Sequence, residues 1–271
     1  MTAERQGSDM CEVYSIATQK GGCSKTTSSV NLGIGLARQG YRVLMIDSDP
    51  QGSLSSCLGV KEPDSLEITL ATVMGNEMNE EPYDASTLGI IHHEEGVDFM
   101  PCNIELSGME LSLISTWSRE MMLSRYIEKV RKYYDYIIID CMSSLSLMTV
   151  NVFAAADKVI IPVQAAYLPV KGLEQLLKTI KMVRTRLNPR LEIAGILITM
   201  FDRRTRLAKD TVSILQERYG DMLHIYESVI PYSVKAAEES EKGVSIYKHA
   251  PRCAVAEAYR NLTEEVLRYE G

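Results

Sequence analysis

Long apolar runs are missing from this 271-residue chain. No stretch approaches the roughly 18 residues of a membrane-spanning helix, and the opening MTAERQGSDM lacks the apolar core of a secretion signal. Paired cysteines are missing too. The six present (Cys11, Cys23, Cys57, Cys102, Cys141 and Cys253) are scattered without a CxxC pair and read as thiols of a reduced, cytosolic protein. The four histidines, His92, His93, His224 and His249, have no metal spacing and read as surface residues. Repeats and low-complexity tracts are absent. A composition 45% hydrophobic and 24% charged excludes disordered, collagen-like and fibrous classes. A chain of this length buries a large core without disulfide or metal staples.

Positive charge is scarce overall, with 29 Lys/Arg against 36 Asp/Glu for a net −7. That balance argues against a protein coated in nucleic acid, although averages hide patches. One patch stands out. Between Lys171 and Lys209 there are ten Lys/Arg and only Glu174, Glu192 and Asp202 to oppose them.

What the chain does contain is alternation. Short apolar runs at 13–17, 42–47, 97–100, 136–140, 158–163 and 193–200, with a further one ending at Pro231, read as buried strands. Between them helical periodicity appears up to Gly40, around 108–115 and 119–132, and near 147–156, 171–187, 205–218 and 254–268. Strands alternating with helices imply a parallel sheet covered on both faces. The expected fold is α/β, a single doubly wound, mostly parallel sheet with helices on both faces. It spans 1–271 as one domain, with 1–11 a flexible tail and the loop-rich, acidic 60–96 a variable insertion.

The first strand runs into Lys20-Gly21-Gly22-Cys23-Ser24-Lys25-Thr26-Thr27 and then a helix. A glycine turn at that place lets backbone N–H groups wrap phosphates, and the helix start adds partial positive charge. Lys25 reaches the β/γ-phosphates and the Thr26 hydroxyl ligates Mg²⁺ in this reading. A glycine turn that only links strand to helix is the competing one, and Lys-Thr-Thr in that context disfavours it.

KGGxxKTT resembles the deviant Walker A motif of the ParA/MinD group of P-loop ATPases. Asp47-Ser48-Asp49-Pro50-Gln51-Gly52-Ser53, the Asp140 strand, residues 154–164, Lys171-Gly172-Leu173-Glu174, Thr199–Asp202 and Ile230–Lys235 resemble the ParA partition ATPases, closest to those of Gram-positive chromosomes and mobile elements. The likeness runs from about residue 12 to 268. It implies a P-loop NTPase fold, ATP and Mg²⁺ as cofactors, and an ATP-sandwich homodimer. In that dimer Lys20 crosses to the partner's nucleotide, where a cation stabilises charge developing on the phosphoryl group. The resemblance also implies that Asp49 positions or activates the attacking water and that Asp47 and Asp140 hold Mg²⁺, mostly through water. Gly21 through Thr27 form the nucleotide loop, and Met200 and Pro231 fall where relatives contact adenine, although core packing suits them equally.

The resemblance places non-specific DNA binding on basic surfaces such as Arg203, Arg204, Arg206, Lys209 and Lys235, through phosphate neutralisation. A solvated helix face is the plainer reading of the same charges. A ParB-type centromere-binding partner, cytoplasmic and nucleoid-associated location and absence from membranes complete the expectation. The acidic tail 261–271 does not suit MinD-like membrane attachment.

Five positions depart from the family pattern. Ser24 stands where the family has glycine, and if that position needs a positive φ the serine costs about 1 kcal/mol or more. Met142-Ser143 replaces a proline-rich step after Asp140, Ser146 replaces a common glycine and Ala166 a common glutamate. These motivate a weak ATPase, or a ParA-like scaffold with little hydrolysis. Cys141 directly follows Asp140, the wrong placement for an iron–sulfur ligand as in the related nitrogenase iron protein, so a buried thiol is expected.

Overall fold

Tyr136–Cys141 is buried at every position, and the sheet is built outward from it. In the computed structural model, which describes residues 11–165 and 170–269, the strands lie in the spatial order β3 (Ile91–His92), β4 (Asp98–Met100), β2 (Val43–Ser48), β5 (Tyr136–Cys141), β1 (Glu12–Ile16), β6 (Lys158–Gln164) and β7 (Glu192–Thr199). Every pairing is parallel except β3 with β4.

Strand side chains alternate between two apolar layers, as the pleat requires. Leu44, Ile46, Ile137 and Ile139 enter one layer, and Val43, Met45, Tyr136 and Ile138 enter the other. The first layer is covered by α3 (Leu70–Asn79), α4 (Glu105–Leu113), α5 (Met122–Val130), α6 (Leu147–Ala155), α7 (Val170–Arg186) and α8 (Arg206–Tyr219). The second is covered by α1 (Lys25–Arg38), α2 (Ser53–Cys57), α9 (Val234–Lys242), α10 (Ile246–His249) and α11 (Ala254–Arg268). At Gly35 a Cβ would stand 2.3 Å from Thr263 Oγ1 and 2.8 Å from the Tyr247 hydroxyl. Only glycine lets α1 settle this deeply, and that seating fixes where its N-terminus points.

The expected strand ending at Pro231 is not continuous. Residues 224–232 meet β7 and its extension at the bridges Ile196–Ile225 and Phe201–Pro231, with one further bond from the Ile230 N–H to the Ile198 carbonyl at 2.9 Å. The ladder breaks because the N–H groups of Glu227 and Ser228 go instead to the buried Glu265 carboxylate, at 2.7 and 3.0 Å. Residues 60–96 hold more regular structure than loop-rich reading allowed: α3 buries Leu70, Ala71, Val73 and Met74. His93 is buried rather than at the surface, with Nε2 3.3 Å from the Gly243 carbonyl and Nδ1 accepting from the Glu95 N–H. Residues 1–10 and Ala166 lie outside the described residues. Cys102 and Cys141 are buried thiols, and burial pushes Cys141 up to about 12.

Asn31 of α1 organises the junction with α9 and α10. Its amide donates to Glu239 Oε1 at 2.8 Å and its oxygen accepts from the Ile246 N–H at 2.9 Å. Glu239 is buried with Oε2 unpartnered. Burial, then the charge of Glu95 against the opposing Asn31 bond, lifts its pKa to about 8. A carboxyl with a raised folded-state pKa keeps its proton longer in the fold. Its stabilising effect is therefore complete below about pH 4.5 and is lost as pH rises toward 8. Glu239→Gln should flatten that slope and raise stability at pH 8.5 by on the order of 2 kcal/mol. Thermal melts of both proteins at pH 5.5, 7 and 8.5 test this, and parallel pH profiles would contradict it.

Candidate nucleotide site

The turn after β1 bends through two left-handed residues. Gly22 has φ +74, and Ser24 has φ +59 with ψ +31. No side chain caps α1, so its first-turn N–H groups are left for a ligand, where the helix dipole favours an anion. The positive φ expected to strain Ser24 is present. Ser24→Gly should raise stability by roughly 0.5–1 kcal/mol, the relief of left-handed strain less the added entropy of the unfolded chain. A lower melting temperature in this variant would mean that the serine side chain contributes more than its backbone costs.

The turn opens into a cleft of about 490 Å³. Of the sequence-predicted residues, Gly22, Ser24, Lys25, Thr26, Thr27, Asp49, Met200 and Pro231 line it. Cys23 is buried, its carbonyl accepting from Thr199 Oγ1 at 3.2 Å, which ties the end of β7 to the loop. Met200 follows with φ +52, so the backbone turns sharply where β7 meets the cleft. Lys20 lies apart from these residues, lining an adjoining hollow with Gln19, Ile161, Gly172 and Leu173.

Two carboxylates lie behind the loop at the ends of adjacent strands. Asp140 is 1% exposed and accepts from Thr26 Oγ1 and Ser29 Oγ, each at 2.7 Å. Burial raises its pKa to about 6, against the opposing hydrogen bonds from Thr26 and Ser29 and the charge of Lys25. Asp47 is fully buried, and its pKa rises to about 7, first by burial and then by the nearby Asp140. Its Oδ2 accepts from the Ser55 N–H at 2.8 Å and hydroxyl at 2.7 Å, while Oδ1 accepts from the Asp49 N–H at 3.2 Å. Asp47 thus grips the segment that carries Asp49. Lys25 is almost buried and donates from Nζ to Ser143 Oγ at 2.6 Å.

Ser29, Ser55 and Ser143 were not among the residues that sequence reasoning singled out for the site. Ser29 could have been found by spacing, because it sits three residues after Thr26 and shares its helix face. Ser55 and Ser143 carry no such signal, since their roles depend on how α2 and the post-β5 loop fold back.

The residues fit a hard divalent cation beside a phosphate. Among the described residues no cluster of three or more His, Cys, Asp or Glu side chains suits a metal. Thr26 and Asp140 supply two oxygen ligands at one point, the sparse protein share that Mg²⁺ takes when phosphate and water provide the rest.

The predicted DNA-facing cations are not alike. Arg204 makes a two-pronged pair with Asp202, at 3.0 and 2.9 Å, and that guanidinium holds Asp202 at about 2. Arg206 lies 3.7 Å from Asp210. Arg203, Lys209 and Lys235 are exposed.

An uncapped helix start after a glycine turn, with lysine, threonine and a buried aspartate converging there, defines a P-loop nucleotide-binding protein. A family model described as an AAA domain matches residues 11–193. The chain is 41% identical over 259 residues to the sporulation initiation inhibitor protein Soj of Bacillus subtilis, covering 95% of this chain and 98% of that protein. It is 40% identical over 261 residues to the chromosome partitioning protein ParA of Caulobacter vibrioides, covering 95% and 94%. Among solved structures, cobyrinic acid a,c-diamide synthase from Mycobacterium smegmatis with bound ADP and magnesium superposes with a TM-score of 0.81 at 33% identity, covering 96% of this chain and 95% of that one. The chain belongs to the ParA/Soj family of partition ATPases.

Proposed function

We propose that this chain is an ATP-dependent DNA-partitioning ATPase that dimerises around ATP, binds DNA without sequence preference as a dimer and releases it after hydrolysis. The observation that carries the reading is the meeting of Lys25, Thr26 and Asp140 at the uncapped start of α1. Gly21 through Thr27 cradle the phosphates, and Lys25 exchanges Ser143 for the β/γ-phosphates. Mg²⁺, when bound, neutralises charge on the terminal phosphates. Thr26 and Asp140 hold it, and Asp47 acts from behind by fixing Ser55 and Asp49. Asp49, half-buried at the cleft wall, orients the attacking water. Lys20, which lines the neighbouring hollow instead of its own cleft, reaches the partner's nucleotide. Met200 and Pro231 flank the adenine.

Slow turnover belongs to this reading, because Ser24 strains the loop and Ser143 already holds Lys25. The physiological setting is chromosome, plasmid or mobile-element segregation in the cytoplasm, on the nucleoid, with a ParB-type partner stimulating hydrolysis. Among the described residues no helix is long and apolar enough to cross a membrane, and α11 commits Val255, Tyr259, Leu262 and Val266 to the core. The metabolic role in the name of the mycobacterial synthase has no separate observation here to favour it.

Retention of duplex DNA of arbitrary sequence tests the reading. It should need Mg-ATP, fail with Mg-ADP and weaken steeply with salt, as counterion release dictates. Arg203→Glu with Lys209→Glu should weaken it further while leaving ATP binding intact. Retention that ignores nucleotide, or that survives those changes, would contradict it.

A further inference from the structure

The start of α9 is part of the cleft wall, since Ser233, Val234, Ala236 and Ala237 line it directly after Pro231. Little apolar surface holds this helix down. Val234 is 62% exposed, Lys235, Ala237, Glu238 and Lys242 are exposed too, and Ala236 is half-buried. Among the described side chains of α9, Glu239 alone is buried, at 2% exposure. A surface helix is ordinarily anchored by an apolar stripe. This one is anchored by a carboxyl.

The mooring is Asn31. Its Nδ2 donates to Glu239 Oε1 at 2.8 Å and to the Thr27 carbonyl at 2.8 Å, and its Oδ1 accepts from the Ile246 N–H at 2.9 Å. One amide thus ties α9 to the first turns of α1, where Thr27 itself lines the cleft. Glu239 Oε2 has no partner. A neutral carboxyl still accepts through its carbonyl oxygen and leaves only a hydroxyl unsatisfied. The anion would leave a buried charge without a counterion, which costs far more.

The other elements around α9 do not relieve that cost. The turn between β3 and β4 presents Glu95, whose charge opposes ionisation of Glu239, and His93, whose Nε2 meets the Gly243 carbonyl just past α9. Tyr247 of α10 and Tyr259 of α11 also feel the Glu239 charge, and burial raises both phenols so that they stay neutral. Helix α2 carries Cys57 as its one titratable side chain. On α9 itself, Glu238 and Lys242 turn to His249, and Lys235 is exposed. Burial above all therefore holds the Glu239 pKa at about 8, against an ordinary 4.5 for a solvated carboxyl. Between those two values each pH unit weakens docking of α9 by up to about tenfold, and above the upper one the loss levels off.

We propose that the protonated Glu239 carboxyl is a latch that seats α9 on α1 and so positions the Pro231 side of the nucleotide cleft, and that rising pH releases it. The latch stands on the packing of α9; its effect on nucleotide rests on the ATP-site reading.

Amide hydrogen exchange of the full chain without nucleotide, expressed as protection relative to the intrinsic rate between pH 5.5 and 9, reads the latch. In the parent, protection of α9 should fall by up to about tenfold per pH unit and level off near pH 8, while α5 in the other layer does not follow. Glu239→Gln keeps the acceptor and cannot ionise, so α9 should stay protected at every pH. Glu239→Ala should leave α9 weakly protected throughout. Parallel profiles for the parent and Glu239→Gln, full protection in Glu239→Ala, or a fall shared equally by α5 would overturn the latch. The affinity of the parent for Mg-ADP, divided by that of Glu239→Gln, should drop about fivefold from pH 6 to 8.5. Titration of the nucleotide, Asp47 and Asp140 cancels in that ratio. A constant ratio would overturn the link to the cleft and leave the latch standing. No Mg-ADP binding at pH 6 would overturn the ATP-site reading and the link with it, while the exchange profiles still judge the latch.

Discussion

Lys25→Ala should bind ATP at least about 100-fold more weakly than the parent chain, with hydrolysis lost at ordinary nucleotide concentrations. The Lys25 ammonium is nearly buried at the cleft wall and held by a single hydroxyl of Ser143. Replacing that neutral partner with phosphate oxygens gives a charge-assisted bond, and such bonds contribute about 1.5–3 kcal/mol each, where every 1.4 kcal/mol is tenfold in affinity. Lysine also lowers the cost of ionising the buried Asp140. Its removal therefore weakens the Mg²⁺ end of the site as well as the phosphate end. Calorimetric titration with Mg-ATP measures the loss directly, and near-normal affinity would mean that the backbone loop alone holds the nucleotide.

Asp49→Ala separates binding from chemistry. Asp49 lies at the cleft wall, but its side chain supports little of the fold, accepting the Gln51 N–H at 3.0 Å two residues along the same turn. The variant should fold and bind Mg-ATP almost normally, yet partner-stimulated hydrolysis should fall about 10²–10⁴-fold, the usual contribution of a positioned acid–base group. The ATP-bound state would then accumulate. Unchanged turnover would remove Asp49 from the role assigned to it and leave water activation to another group.

The strands of the central sheet were legible because each is apolar on both faces, which no exposed segment imitates. Val13 to Ile16 and Ile137 to Ile139 needed no tertiary context to be read. The phosphate loop was legible because glycine, lysine and threonine have a mechanical reason to occur in that order before a helix. The late segment ending at Pro231 was misread for a physical cause. Its apolar residues suit a strand, but Glu265, far along the chain on α11, takes the N–H groups of Glu227 and Ser228. No local pattern reveals such a competitor. His93 misled in the same way: it read as a surface residue, while the Gly243 carbonyl between α9 and α10 comes from far along the chain to meet its Nε2. In the site, charge alone could not show that Asp47 faces Ser55 and Asp49 while Asp140 faces Thr26, because both aspartates end apolar strands in parallel register.

Sedimentation velocity of the purified chain without nucleotide, with Mg-ADP and with Mg-ATP tests the central claim most directly. A monomer that becomes a dimer only with Mg-ATP, and remains a monomer in Lys25→Ala, is the predicted result. A mass independent of nucleotide, in a chain that measurably binds Mg-ATP, would contradict the account, because occupation of this cleft would then not control assembly.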